Sequence, residues 1–234
     1  MSKIAPVTLI TGTSRGIGRY LAQHYVEQNH IVVGCSRNPS SWSTPGYHHI
    51  PTDLTNEYSI RDLFKWLNTE LGRLDNLINC AGIAAMNHSL LTPLATVKKI
   101  LDTNLIASFL VMRDSAKLMQ KNKYGRIVNF TTVAVPLKIE GEAIYAASKA
   151  AVLALTQVMA RELAPFGITI NCIGPTPVDT DLIRAVPKAK LDAIIARQAI
   201  PRMGTLQDIS NVIDFFIKPE SNFITGQCLY LGGV

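Results

Sequence analysis

Charge is scarce in this chain. Asp, Glu, Lys and Arg make up 17% of its 234 residues while apolar residues make up 47%, against an average charged share near ~25%. That balance suits a sheet covered on both faces, with a subunit contact besides. Cysteine is sparse too. Cys35, Cys80, Cys172 and Cys228 are widely separated, with no Cys-x-x-Cys or Cys/His ligand spacing, which argues against a zinc module or a disulfide framework. Three of the four lie in apolar strand-like runs and read as small buried hydrophobes, as a reducing, cytoplasmic setting would allow. No run of about eighteen apolar residues appears, so no membrane span is expected. The N-terminal stretch lacks the charged, apolar and cleavage-site succession of a secretory leader. The net charge of +6 and a pI near 9.2 raise nucleic acid as a partner. The basic residues are dispersed, however, with no basic arm and no interleaved aromatic platform. Smaller anionic ligands or an acidic protein are expected instead.

What is present is alternation. β-rich runs are expected to form strands at 6–11, 31–35, 47–51, 75–79, 126–132, 168–173 and 227–231. Helical patterns fall between them, following the first turn to about residue 28 and then at 56–71, 93–120, 143–164 and 205–217. There is no internal repeat, low-complexity tract or interdomain linker. Strands alternating with helices predict one α/β domain over 1–234, a doubly wound Rossmann-like fold with a mostly parallel seven-stranded sheet flanked by helices. The proline-punctuated segment from Pro177 to Gly204 is a candidate mobile lid.

The first strand runs into Gly12-Thr13-Ser14-Arg15-Gly16-Ile17-Gly18 and then a helical pattern. Strand, glycine turn and helix are the context of a dinucleotide-binding fingerprint, since glycine lets backbone approach a pyrophosphate and the helix N-terminus offers amide donors. The first gap is one residue longer than in the common turn. The second strand ends in Ser36-Arg37, where an NAD site would place a carboxylate for the ribose hydroxyls. Arg37 and Arg15 suit a 2′-phosphate, so NADPH is the expected cofactor. Cys80-Ala81-Gly82 supplies small residues that would let a cofactor lie against backbone.

The stretch from Thr132 to Lys149 carries the candidate chemistry. On a helix over 143–164, Tyr145 and Lys149 stand four residues apart and share a face. An unperturbed tyrosine titrates near ~10, and a neighbouring ammonium lowers that value. Thr132 offers a hydroxyl to the reacting oxygen. Asn104, a polar amide in an apolar stretch, reads either as a satisfied structural group or as a site residue.

Together these residues resemble the single-domain short-chain dehydrogenase/reductase family over essentially the whole chain. Thr11-Gly12-x3-Gly16-x-Gly18 is similar to its cofactor turn, Asp53-Leu54 to its adenine-pocket pair, and Asn79-Cys80-Ala81-Gly82 to its Asn-Asn-Ala-Gly motif. Asn104 falls at the family's helix-four asparagine and Tyr145-x-x-x-Lys149 at its catalytic pair. Pro175, Thr176, Val178 and Thr180 fall at its nicotinamide-side loop. The resemblance implies NADPH-dependent reduction of a ketone. Tyr145 would be the proton donor, Lys149 would lower its pKa and hold the nicotinamide ribose, Thr132 would stabilise the carbonyl oxygen, and Asn104 would support a proton relay. Within the family, the segments 200–204 and 224–226 look most like beta-ketoacyl carrier-protein reductases, which implies a 3-oxoacyl thioester substrate and a homotetramer (or homodimer) built on the helices around Asn104 and Tyr145.

Three departures stand out: Thr132 where the family has serine, Thr176 after Pro175 where it has glycine, and Leu231 before the terminal Gly-Gly where an acidic residue is usual. Thr131 precedes Thr132, but the thirteen-residue spacing to Tyr145 favours Thr132. Two basic sets, Lys117, Lys121, Lys123 and Arg126, and Arg184, Lys188, Lys190, Arg197 and Arg202, would either receive an acidic acyl carrier protein or coenzyme A phosphates, or form a solvated surface. Two rival readings are an oxidoreductase for a free ketone, polyol or quinone, and a non-catalytic NADPH-binding regulatory protein.

Overall fold

A computed structural model describes residues 5–181, 183–184 and 186–234. Among them, β1 (Val7–Thr11), β2 (Ile31–Ser36), β3 (Tyr47–Pro51), β4 (Asn76–Asn79), β5 (Gly125–Phe130), β6 (Ile168–Gly174) and β7 (Cys228–Tyr230) form one sheet. Its order is β3-β2-β1-β4-β5-β6-β7, and every neighbouring pair is parallel. The expected sheet is therefore present and wholly parallel. The order reverses between β1 and β4, which opens a crevice at the carboxyl ends of those strands.

The helices are α1 (Gly16–Glu27), α2 (Glu57–Trp66), α3 (Leu94–Leu101), α4 (Ala107–Met119), α5 (Ala134–Leu137), α6 (Ala143–Leu163), α7 (Lys188–Ile195) and α8 (Leu206–Ile217). Successive strand residues point to opposite faces, so Leu9 and Ile10 enter two different cores. On one face Ile10, Val32, Ile78 and Val128 pack against Leu21 and Tyr25 of α1 and Ile209 and Ile213 of α8. On the other, Leu9, Val33, Leu77 and Ile170 meet Leu63 of α2, Val111 and Met112 of α4 and Met159 of α6. Strands buried on both sides need continuous apolar runs, and β1 and β6 are buried at every position.

Two expectations need revision. The span 93–120, expected as one helix, is broken by a π turn, Asp102–Ile106, between α3 and α4. The residue it adds places Asn104 inside the irregular turn, which frees backbone groups from the regular ladder. Ala143–Phe166 is long and apolar enough to cross a bilayer by composition, with mean hydropathy 1.4, but its inner face packs on the sheet through Val152, Thr156, Met159 and Ala160. Second, the candidate lid is not free chain at its base. Val178 bridges Gly204, Gly204 N donates to Pro177 O at 2.9 Å, and Ile194 of α7 clusters with Val133 and Leu137.

Candidate active site

The carboxyl ends of β4, β5 and β6 open into a cleft of about 160 Å³, which Tyr145, Lys149, Thr132, Gly82, Pro175, Thr176, Val178 and Thr180 all line, with Ile17 from the first helix. Residues spread from Ile17 to Thr180 thus converge on one cleft.

Gly12 adopts φ +79°, and a Cβ there would lie 3.0 Å from Ala81 Cα. Only glycine accepts both that conformation and that approach. A Cβ on Gly18 would run into the Gly12 carbonyl. Helix α1 has no side-chain cap and no acidic residue in its first turn, so its leading amides and the positive end of its dipole are left for an anion. Ser14 and Arg15 lie exposed on this turn. Arg15 Nη1 makes a 3.5 Å ion pair with Asp181, with its own side chain 75% exposed. Ser36 Oγ donates to Asn38 O at 2.9 Å, and Arg37 is exposed beside it. Asp53 accepts from Thr55 N and Oγ1 at 3.0 and 2.8 Å. Those bonds, and the Arg37 charge, hold its carboxyl below the usual carboxylate range.

Two expected cofactor side chains point elsewhere. Leu54 is buried in the core with Ile60 and Leu63. Asn79 accepts from Thr11 Oγ1 at 3.2 Å and donates to Ser108 O at 3.3 Å and Asn129 Oδ1 at 3.4 Å, tying β1, β4, β5 and α4 together. Its amide is a strut of the sheet end. Ala81 is held nearby, its N–H donating to Thr11 Oγ1 at 2.9 Å.

The catalytic constellation is assembled by α6 and the end of β5. Burial pushes the Tyr145 phenol up to about 12; the Glu142 charge adds to this, and a hydrogen bond with Thr132 opposes it. The expected lowering by Lys149 does not occur. Lys149 Nζ donates to Phe130 O at 3.0 Å and its side chain is buried, so its charge is drawn to the strand end instead of to the phenol. Burial lowers the ammonium's own pKa, against the pull of the Cys172 and Cys80 thiols. The two adjacent threonines divide their roles. Thr131 Oγ1 donates to Lys149 O at 3.1 Å and is buried. Thr132 Oγ1 accepts from Ala134 N at 3.2 Å, which fixes its rotamer and leaves its proton to donate.

Asn104 is fully buried. Its Oδ1 accepts from Ile83 N at 2.9 Å, and its Nδ2 donates to Ile83 O at 2.9 Å and Ser148 Oγ at 3.1 Å. Ser148 Oγ donates in turn to Tyr145 O at 2.7 Å. The side chain clamps the Gly82–Ile83 backbone to α6, and its main-chain carbonyl, inside the π turn, accepts from Ser108 Oγ at 2.7 Å. A Cβ on Gly82 would stand 3.2 Å from Lys149 Nζ, so the clamp brings bare backbone against the ammonium.

Sequence reasoning missed the apolar wall of the cleft, Ile83, Val133, Ile139, Ile183, Val186 and Leu191, and with it Glu142. No motif marks these positions. Helix spacing could have flagged Glu142, three residues before Tyr145. The basic sets are mostly engaged. Arg126 is buried and stacks 4.4 Å above the Tyr124 ring, so it is no surface residue. Lys117 pairs with Asp114, Arg184 with Asp181 and Arg202 with Asp208, while Arg197 donates to Leu137 O at 2.7 Å.

Comparisons with known proteins identify the family and the fold. A family model described as enoyl-(acyl carrier protein) reductase matches residues 12–233. The 3-oxoacyl-[acyl-carrier-protein] reductase FabG of Vibrio cholerae serotype O1 is 32% identical over 233 residues, covering 97% of this chain and 96% of that protein. Among solved structures, ElxO with NADP bound superposes with a TM-score of 0.89 at 27% identity, covering 97% of each chain. A 4-hydroxyisoleucine dehydrogenase complexed with NADH does so with a TM-score of 0.87 at 31% identity, again over 97% of each chain.

Proposed function

The chain belongs to the short-chain dehydrogenase/reductase family of oxidoreductases, and on that premise we propose that it is an NADPH-dependent reductase of a ketone, with a 3-oxoacyl thioester as substrate. The observation that carries this is Tyr145: a half-buried residue whose phenol is raised to about 12, beside Thr132 on the wall of an otherwise largely apolar cleft. Such a phenol is protonated at neutral pH and is placed to act as an acid.

The residues present fit the cofactor. The uncapped N-terminus of α1 and the bare Gly12–Gly18 approach would take the pyrophosphate. Arg37, and Arg15 on exchanging Asp181 for a phosphate, would meet the 2′-phosphate. Thr176 Oγ1 is buried in the cleft without a partner, which suits the nicotinamide carboxamide and gives a use to the threonine that replaces glycine. NADPH supplies the hydride when bound.

The chain's own groups do the rest. Thr132 donates to the substrate carbonyl oxygen and fixes it beside the phenol. Tyr145 gives its proton to that oxygen as negative charge develops. Lys149, with one donor held by Phe130 O, keeps others for the ribose hydroxyls. Asn104 acts one step back, holding Gly82 and Ile83 against Lys149. Ile83, Val133 and Ile139 exclude water and receive an acyl chain. The identity to FabG supports the thioester reading, and the four free thiols support a reducing compartment.

Exposed Ile106, Phe109 of α4 and Val158 of α6 supply an apolar outer face for a homotetramer or homodimer, which light scattering on the purified protein would read. An acidic acyl carrier protein would meet exposed Lys188 at the start of α7, the helix whose Leu191 and Ile194 line the cleft. The decisive assay follows NADPH consumption across 3-oxoacyl thioesters and free ketones, with NADH as control. Turnover of thioesters with NADPH is expected, and preference for a free ketone, polyol or quinone would replace the substrate assignment.

A further inference from the structure

Among the described residues, Glu142 is the one carboxylate on the wall of the cleft. It directly precedes α6 and lies three residues before Tyr145, so the two side chains open onto the same space. From that position it could cap the first amides of α6, yet it makes no side-chain capping hydrogen bond. Its backbone N–H donates to Ile139 O at 3.3 Å and its carbonyl accepts from Ala146 N at 2.7 Å, but among the described residues its carboxylate makes no hydrogen bond or ion pair. The nearest cation it feels is Lys190, whose Nζ donates to Met86 Sδ at 3.3 Å instead. The residue is half-buried, and burial holds its carboxyl above the ordinary range. A carboxylate withdrawn from water among Ile83, Ile139 and Leu191 without a donor is costly, and the cleft side is where a donor can arrive.

We propose that Glu142 is a specificity-determining residue that accepts a hydrogen bond from an O–H or N–H donor carried by the substrate near its reacting carbonyl. The inference rests on the ketone-reductase reading above and refines its substrate class. The donor has two chemical sources: the amide N–H of a cysteamine-type thioester arm, or a hydroxyl on a short hydroxyketone. A purely hydrocarbon ketone offers neither.

The test uses the full chain with NADPH and two matched substrate pairs. One is a 3-oxoacyl N-acetylcysteamine thioester against the same acyl group on an alkyl thioester of equal length. The other is a hydroxyketone against its deoxy counterpart. In the wild type, the donor-bearing member of one pair is expected to show a kcat/KM higher by about tenfold or more, mostly through KM, as suits a hydrogen bond to a charged acceptor. The pair that shows it names the source. Glu142→Met is expected to abolish the preference, whereas Glu142→Gln keeps part of it because its amide oxygen still accepts. Were Glu142 only a latch for Lys190, Glu142→Met would slow both members alike and leave their ratio unchanged, which overturns the proposal, as does equal kcat/KM within both pairs in the wild type. If no ketone is turned over, the reductase reading fails by itself. Calorimetric binding of the corresponding alcohols then decides on Glu142: equal affinities with and without the donor overturn it, and a donor preference lost in Glu142→Met sustains it.

Discussion

The glycine turn beside the cleft is shaped by backbone contacts, and the segment facing it contributes side chains, Val178, Ile183, Val186, Leu191 and Ile194. In the turn, Gly12 and Gly18 are there because a Cβ would meet Ala81 or the Gly12 carbonyl. In the segment, Ile183, Val186, Leu191 and Ile194 fill space with apolar volume. A site built from absent side chains tolerates almost no substitution, since each added atom meets main chain that cannot move aside. A site built from apolar volume accepts neighbours of similar size. The cofactor end should therefore be brittle and the substrate end plastic, and the seam between them, where Thr132, Tyr145 and Lys149 meet, should carry the rate.

The largest effect is expected at that seam. Tyr145→Phe should lower kcat/KM by roughly 10²–10⁴-fold, the usual contribution of a general acid, while the melting temperature stays close to wild type. The phenol's pKa adds a sign that can be checked. Raised to about 12, it stays protonated through the alkaline range, so tyrosine ionisation should not slow reduction below pH ~10, whereas alcohol oxidation, which needs phenolate, should keep rising with pH. For stability, the folded chain holds this proton where the unfolded chain, with a tyrosine near ~10, has lost it. Its contribution is thus full below pH ~10 and is lost as pH rises towards 12. Denaturant titrations over that range should show a shallower decline in Tyr145→Phe.

Next comes the glycine turn. Gly18→Ala should lower stability by about 1–3 kcal/mol, the cost of overpacking against atoms that cannot yield, and should weaken NADPH binding in a fluorescence titration. An alanine variant that binds NADPH normally would erase the contrast between the two regions. The threonine pair tests the seam again at finer grain. Thr132→Ser should keep activity, and Thr132→Val should lose about tenfold or more in kcat/KM for want of one charge-assisted donor. Thr131→Val should act mainly on stability, because its hydroxyl serves the Lys149 carbonyl. The smallest effect is expected on the lid. Ile194→Val should cost about 0.5–1.5 kcal/mol and leave kcat/KM within a few-fold.

The same contrast governs what the sequence could disclose. The five inner strands were legible because strands buried on both faces need apolar runs, while the half-exposed edge strands β3 and β7 were legible from their place in the alternation. The glycine turn was legible because only one residue type satisfies it. The choice of Thr132 over Thr131 followed from spacing; the Thr131 hydroxyl is given to the Lys149 carbonyl and the Thr132 hydroxyl accepts from Ala134 N. Other features depend on where side chains end up. Asn79 and Leu54 carry the family's letters, yet their side chains turn into the interior, a choice made by neighbours on three other elements. Lys149 was expected to tune Tyr145, but the Phe130 carbonyl takes its charge, and no spacing rule reports the carbonyl of a residue nineteen positions away. The apolar lid positions and Glu142 had no motif because volume and polarity, not pattern, define them.

The π turn at Asp102–Ile106 has a consequence for how the chain can change length. The turn holds one more residue than a regular helix would, and removing it would rotate α3 against α4 by about 100°. Ile100 on one side and Val111, Met112 and Met119 on the other are buried, so neither helix can turn that far without unpacking. A single deletion here would restore a smooth helix and ruin the protein, whereas the exposed connection before β3 should absorb insertions at little cost. Helix 93–120 is thus a counted segment, a ruler whose one irregular division keeps Asn104 at the height of Ile83.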